Sequence, residues 1–217
     1  LMSLKIVFMG TPEFSVPTFE ALIKNKFSIL SVYTQPPKKS KRGQKINASY
    51  IEEFSKKNKL NLRNPENLDN EEEYKFFKNL SPDLVVVVAY GKIIPKKFLS
   101  TAKLGFINIH ASLLPKWRGA APIQRAIMNS DAKTGISIMK IEEKLDSGPI
   151  LALKEIELDK HATYGEIERK LSEDLPYTKK NGKEGTLKGR SLMLIRNVGH
   201  LMTNPAILTE NNEEIPE

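Results

Sequence analysis

Two short apolar runs, each closed by a glycine, constrain the fold of this chain more than any other feature. Residues 4–9 (Leu-Lys-Ile-Val-Phe-Met) lead into Gly10, and residues 84–89 (Leu-Val-Val-Val-Val-Ala) lead to Gly91. A strand with one face in water alternates apolar and polar residues. A nearly unbroken apolar run suits a strand covered on both faces, as in a parallel sheet. The segments between the runs fit that picture. Residues 13–25 read as a helix, with Val16, Phe19, Leu22 and Ile23 near helical spacing. Residues 27–33 read as the second strand, 48–57 as a helix, 60–62 as a short strand and 71–78 as a helix. After the apolar run at 84–89 come a strand at 105–109 and a helix at 121–128. Residues 135–141 and 150–158 read as paired strands around a loop that holds Asp146 and Gly148. Alternating strands and helices predict an α/β fold with a mainly parallel sheet flanked by helices. No internal repeat is visible.

Composition narrows the chemistry. The 217 residues include no cysteine, which removes disulfides and thiolate zinc sites. No segment approaches the ~20 consecutive apolar residues of a membrane-spanning helix. The run at 4–9 is too short for a signal peptide and reads as a buried strand. A soluble cytoplasmic protein acting as a monomer, with no membrane partner, is the expectation. The net charge of +8 is compatible with a polyanionic partner but does not establish one. The first turn, Gly10-Thr-Pro, lacks the second and third glycines of a dinucleotide fingerprint, so a tight strand-to-helix turn is the better reading.

Asn108-Ile-His110 closes the strand predicted at 105–109, and an Asn-x-His pair in extended chain places both side chains on one face. Ligands of open α/β sheets bind at the carboxyl ends of strands. The Asn108 amide can donate to a carbonyl oxygen that gathers negative charge. His110 can move a proton near neutral pH. A carboxylate such as Asp146 can orient the imidazole and stabilise its charged form. The set suits acyl transfer to an amine. Taken alone, Asn-x-His reads more readily as a pair of side chains that only satisfy backbone groups at a strand end, because so short a motif is weak.

The surrounding residues add a resemblance. Asn108-Ile-His110-Ala-Ser-Leu-Leu-Pro-Lys-Trp-Arg-Gly-Ala-Ala-Pro-Ile-Gln124 is similar to the signature of the folate-dependent formyltransferases. Within that family it most resembles the members that formylate methionyl-tRNA. Lys5-Ile-Val-Phe-Met-Gly-Thr-Pro-Glu-Phe14 resembles the family's first strand and turn, and Met139-Lys-Ile-Glu-Glu-Lys-Leu-Asp146-Ser-Gly148 the segment bearing its acidic catalytic residue. The resemblance covers residues 2 to about 170 and implies a Rossmann-like formyltransferase catalytic domain over 1–170, incomplete at its carboxyl end.

It implies 10-formyltetrahydrofolate as co-substrate, the α-amino group of initiator methionyl-tRNA as acceptor, and no metal. It assigns catalysis to Asn108, His110 and Asp146, and the folate pocket to Ser112, Leu113, Leu114 and Pro115. For Leu113, Leu114 and Trp117, plain packing of a loop is an equal alternative. Gly119 reads as a position whose backbone other residues would resist. His161 and His200 read as surface residues.

Lys38, Lys39, Lys41, Arg42 and Lys45 cluster after the second predicted strand. A charge run is ordinarily a solvated loop. Here Gln35-Pro-Pro-Lys-Lys-Ser-Lys-Arg42-Gly43 resembles the family's basic insertion loop. That implies contact with the acceptor end of the tRNA, with Arg42 the foremost side chain. Formylation of a small amine, and a folate- or tRNA-binding remnant without turnover, remain the rival readings.

The pattern changes near residues 171–174. The stretch from Tyr177 to Pro205, with Arg196 at the position of a catalytic arginine, resembles a piece of the G-type malate synthases. That resemblance covers only 171–217. The segment lacks the carboxylates that would hold magnesium and the aspartate that would act as base. It is expected to be neither an independent domain nor a second activity. The small carboxyl-terminal barrel that the formyltransferase resemblance implies is not found in the sequence.

Overall fold

The computed structural model describes residues 4–39 and 46–173. Lys41, Arg42, Lys45, His200 and all but the first three residues of the 171–217 segment lie outside the described residues. The chain divides into two compact units between Phe106 and Ile107.

In the first unit the elements run β1 (Lys5–Gly10), a 3-10 turn (Glu13–Ser15), α1 (Val16–Lys24) and β2 (Ser28–Tyr33). They continue with β3 (Lys38–Lys39), β4 (Ile46–Asn47), α2 (Tyr50–Lys57), β5 (Leu62–Arg63), α3 (Glu71–Leu80), β6 (Leu84–Val88) and α4 (Lys96–Leu99). Strands β5, β2, β1 and β6 pair in parallel in that order, with two-residue β5 at the edge. Ile6, Val7, Phe8 and Met9, four successive residues of β1, are all fully buried, as are Leu84, Val85 and Val86 in β6. Both faces of these strands are covered, which is why their sequences do not alternate. The 13–25 segment divides into the 3-10 turn and α1. A side chain at Gly10 would press on the Phe8 ring and on Ser15, each within 2.9 Å, so glycine is what lets the turn close there. Helices α2 and α3 begin at capping residues: Ser49 Oγ accepts from Glu52 N, and Asn70 Oδ1 from Glu72 N and Glu73 N. Two-residue β3 and β4 pair antiparallel, Lys38 opposite Asn47 and Lys39 opposite Ile46.

Phe8 stacks on Phe19 at 4.5 Å between ring centroids, and Phe77 meets the rings of Tyr33, Phe98 and Phe106. Beside this core Glu73, nearly buried, accepts from the Tyr33 hydroxyl at 2.6 Å and from Arg63 at 2.7 and 2.6 Å. Burial works against the Glu73 charge, but the hydrogen bonds from Arg63 and Tyr33 outweigh it and hold the carboxyl below its ordinary value. Burial, and then the bond to Glu73, push the Tyr33 phenol well up. Leu104 N donates to Asp83 O at 2.7 Å and Val85 N to Gly105 O at 3.1 Å. These bonds lay the chain entering Phe106 alongside the start of β6.

Strand β7 (Phe106–His110) starts there and runs into the second unit, which adds α5 (Pro122–Met128), β8 (Lys133–Lys140), β9 (Ile150–Glu157) and α6 (Tyr164–Glu173). Here pairing is antiparallel. His110 lies opposite Ser137 and Asn108 opposite Met139, and β8 and β9 form the hairpin expected around Asp146. Ile136, Ile138, Leu151, Ile123 and Ala126 make the core of this unit with Ile167 and Leu171 of α6. The short α4 and the amphipathic α6 were not among the predicted elements. No helix among the described residues is long and apolar enough to cross a membrane.

Candidate active site

Strand β7 turns the Asn108-x-His110 spacing into a geometry. Both side chains leave the same face of the strand, Asn108 half-buried and His110 buried at 7% exposure. The loop that follows is held by its own bonds. Ser112 Oγ donates to Lys116 O at 2.6 Å, Ser137 Oγ donates to Ser112 O at 2.6 Å, and Leu114 N donates to Ser137 Oγ at 2.9 Å. Trp117, Gly119 and Ala121 then take left-handed backbone conformations, with φ of 60, 85 and 56°. Three such residues within five coil the loop back over the end of β7.

That return brings the Trp117 carbonyl to His110 Nε2 at 3.0 Å. A carbonyl oxygen only accepts, so Nε2 carries the proton of the neutral ring. Nδ1 then faces Asp146 Oδ2 at 3.8 Å. Asp146, itself left-handed at φ 44° in the β8–β9 loop, is the centre of the cluster. Its Oδ2 accepts the Gly119 N–H at 2.7 Å, and its Oδ1 accepts from Asn108 Nδ2 at 3.4 Å. The three side chains named from sequence therefore meet, although Asp146 lies 38 residues from Asn108. Asn108 Nδ2 has a second hydrogen, and His110 Nδ1 has a lone pair in the neutral ring. Together they supply a donor for a developing oxyanion and an acceptor for a proton.

The other predicted residues are placed as follows. Ser112 is fully buried and its hydroxyl is committed to Lys116 within the loop. Leu114 is buried, Leu113 half-buried, and Pro115 exposed. A side chain at Gly135 would strike Leu113 Cδ2 at 2.6 Å, so Leu113 lies against β8. His161 is exposed, as expected. Lys38 and Lys39 enter only as the backbone of β3. Among the described residues no three or more His, Cys, Asp and Glu side chains gather as a metal site would require.

Sequence reasoning did not find the Trp117 carbonyl, the Gly119 N–H as carboxylate donor, Ser137 or Asp131. The first two are backbone groups with no side-chain signature. Ser137 and Asp131 belong to no motif and become visible only through strand register and loop return. Asp131 accepts the Trp117 indole N–H at 2.7 Å and Asn129 Nδ2 at 2.7 Å. Those two bonds, that of Asn129 first, hold its carboxyl below the ordinary carboxylate value.

Comparison with known proteins bears on the family and the fold. Residues 4–176 match the family model described as formyl transferase. The methionyl-tRNA formyltransferase of Pelagibacter ubique is 57% identical over 172 residues, 79% of this chain and 56% of that protein. Its counterpart in Coxiella burnetii is 49% identical over 171 residues, 79% of this chain and 54% of that protein. The chain thus spans about half the length of these relatives. Among solved structures, phosphoribosylglycinamide formyltransferase from Bacillus halodurans superposes with a TM-score of 0.64 at 20% identity, covering 77% of this chain and 87% of that one. The Streptococcus pneumoniae enzyme of that name gives 0.63 at 19%, covering 78% and 91%. At that identity the likeness speaks for the fold alone, an α/β Rossmann-like arrangement. With the family model matching residues 4–176, well over half of the chain and a span that includes Asn108, His110 and Asp146, this chain belongs to the formyl transferase family.

Proposed function

We propose that this chain performs formyl transfer from 10-formyltetrahydrofolate to the α-amino group of initiator methionyl-tRNA, in the cytoplasm. The observation that carries the chemistry is the convergence of Asn108, His110 and Gly119 on the Asp146 carboxylate. The choice of acceptor rests on the names of the relatives at 57 and 49% identity.

The folate supplies a formyl carbon bonded to nitrogen. A new bond forms from the acceptor amine to that carbon, and the carbon–nitrogen bond to the folate breaks. The amine sheds one proton and the folate nitrogen takes one up. Asn108 donates its second Nδ2 hydrogen to the formyl oxygen as charge gathers there. His110 Nδ1 handles the proton, with its other nitrogen anchored on the Trp117 carbonyl. Asp146 stabilises the charged ring without a direct short hydrogen bond, at 3.8 Å, and its position is set by the Gly119 N–H. Of the four residues expected to line the folate pocket, half-buried Leu113 and exposed Pro115 form the wall on the folate side, with buried Ser112 and Leu114 holding the loop behind them. The basic segment Lys38, Lys39, Lys41, Arg42 and Lys45 meets the phosphates of the tRNA acceptor end.

The test is single-turnover transfer from 10-formyltetrahydrofolate to methionyl-tRNA by the purified chain at low salt, with glycinamide ribonucleotide as competing acceptor. Transfer to the tRNA is expected. Transfer to glycinamide ribonucleotide alone would replace the acceptor. Folded protein that binds folate without any transfer would reject the catalytic reading.

A further inference from the structure

The Asn108–His110–Asp146 cluster leaves unexplained what keeps the Trp117 carbonyl on the imidazole. Trp117 has φ of 60°, a conformation a bulky residue adopts only when its surroundings hold it there. Two anchors are visible. The peptide before it is held by Ser112 Oγ on Lys116 O at 2.6 Å. Its indole is held by Asp131, whose Oδ2 accepts Nε1–H at 2.7 Å.

Asp131 is in turn fixed from both sides. Its backbone N donates to Ala126 O at 3.0 Å, just past the end of α5, behind Ser130 in a left-handed turn. Its Oδ1 accepts from Asn129 Nδ2 at 2.7 Å and from Lys116 Nζ at 3.4 Å. Only 6% of its side chain is exposed. A carboxylate so enclosed makes a stronger acceptor for the indole than a neutral group would.

We propose that Asp131 is a positioning residue for His110. By holding the Trp117 indole it aims the Trp117 carbonyl at Nε2, keeps the neutral ring in the Nε2–H tautomer, and so presents the basic Nδ1 toward Asp146. Asp131 touches neither the ring nor any reacting atom; it acts through Trp117 alone. The inference rests on the proposal that His110 handles the proton only for its catalytic consequence. The tautomer itself is a property of the resting protein.

The experiment is imidazole nitrogen NMR of the full chain, with the His110 signals assigned by loss in His110→Gln. Wild type should show one tautomer, protonated at Nε2. Asp131→Ala and, separately, Trp117→Phe should both give averaged nitrogen shifts from a tautomer mixture. Asp131→Asn, which still offers an oxygen to the indole, should restore most of the wild-type pattern. In single turnover both disruptive variants should lose about tenfold in rate with the folate dependence little changed, a part of the ~10²–10⁴ that acid–base catalysis supplies. Asp131 as mere loop support would lower the melting temperature and leave the His110 tautomer untouched in both variants, which overturns the inference. If Asp131→Ala does not fold, Trp117→Phe decides, since it deletes the N–H and part of the indole while keeping an aromatic ring and the Asp131 carboxylate. A wild-type chain without transfer activity whose tautomer still responds would reject the functional proposal and leave this one standing.

Discussion

The backbone N–H of Gly119 donates to Oδ2 of Asp146 at 2.7 Å, shorter than the contacts this carboxylate makes with Asn108 or His110. The glycine is required for its backbone. At φ 85° a side chain is strained, yet its Cβ would lie an ordinary 3.6 Å from Leu145 Cδ2. Gly119→Ala should therefore cost roughly 1–2 kcal/mol in urea unfolding, the price of the left-handed conformation rather than of a clash. If the loop relaxes to relieve that strain, Asp146 loses its donor. Formyl transfer should then fall more than stability does. Unchanged transfer in a destabilised protein would show that the Gly119–Asp146 bond does not matter to catalysis.

Asn108→Ala removes the proposed oxyanion donor and the 3.4 Å contact to Asp146. Single-turnover transfer should slow by ~10²–10³, the usual loss for one such donor, with little change in folate affinity. A rate near that of wild type would reject the assignment.

Arg42→Ala should weaken use of methionyl-tRNA far more than binding of 10-formyltetrahydrofolate. It should also flatten the salt dependence of the tRNA reaction, since each phosphate contact contributes to that slope. Titration of each substrate in turn checks this. Equal loss on both would reject the assignment of Arg42 to the tRNA.

Glu73 ties α3 to β2 and β5 through Tyr33 and Arg63. Its carboxyl is held below its ordinary value in the folded chain. A depressed carboxyl stabilises the fold fully above its unfolded-state pKa, near ~4.3, and that stability is lost as pH falls through the lower folded value. Urea midpoints should therefore drop for wild type below about pH 4.3, and less steeply for Glu73→Gln. At pH 7 the substitution should cost less than the ~3–5 kcal/mol of a fully buried broken pair, because Arg63 is 30% exposed. Parallel pH profiles for the two proteins would show that Glu73 does not carry the acid sensitivity.

Much of this was legible in the chain and some was not, for identifiable reasons. The strands at 5–10 and 84–88 announced themselves because a strand buried on both faces cannot hide its apolar run. Asn108 and His110 were paired by the two-residue period of a strand. Helix α6 escaped notice because its buried stripe rests on Ile167 and Leu171 within an otherwise polar segment. Asp146 was reached through resemblance, not spacing, since nothing local relates it to a strand 38 residues away.

The sequence by itself determined the parallel α/β layering of the first unit, the shared face of Asn108 and His110, and the family. These follow from periodicity and side-chain type, which are local properties of the chain. Only the tertiary structure decided that Trp117, a bulky residue, turns left-handed at φ 60° and offers its carbonyl to His110, with Asp131 on its indole and Gly119 N–H on Asp146. Backbone donors and acceptors are the same in every residue but proline. Where they point depends on which loops return to one strand end, and that is set by the packing of the whole unit.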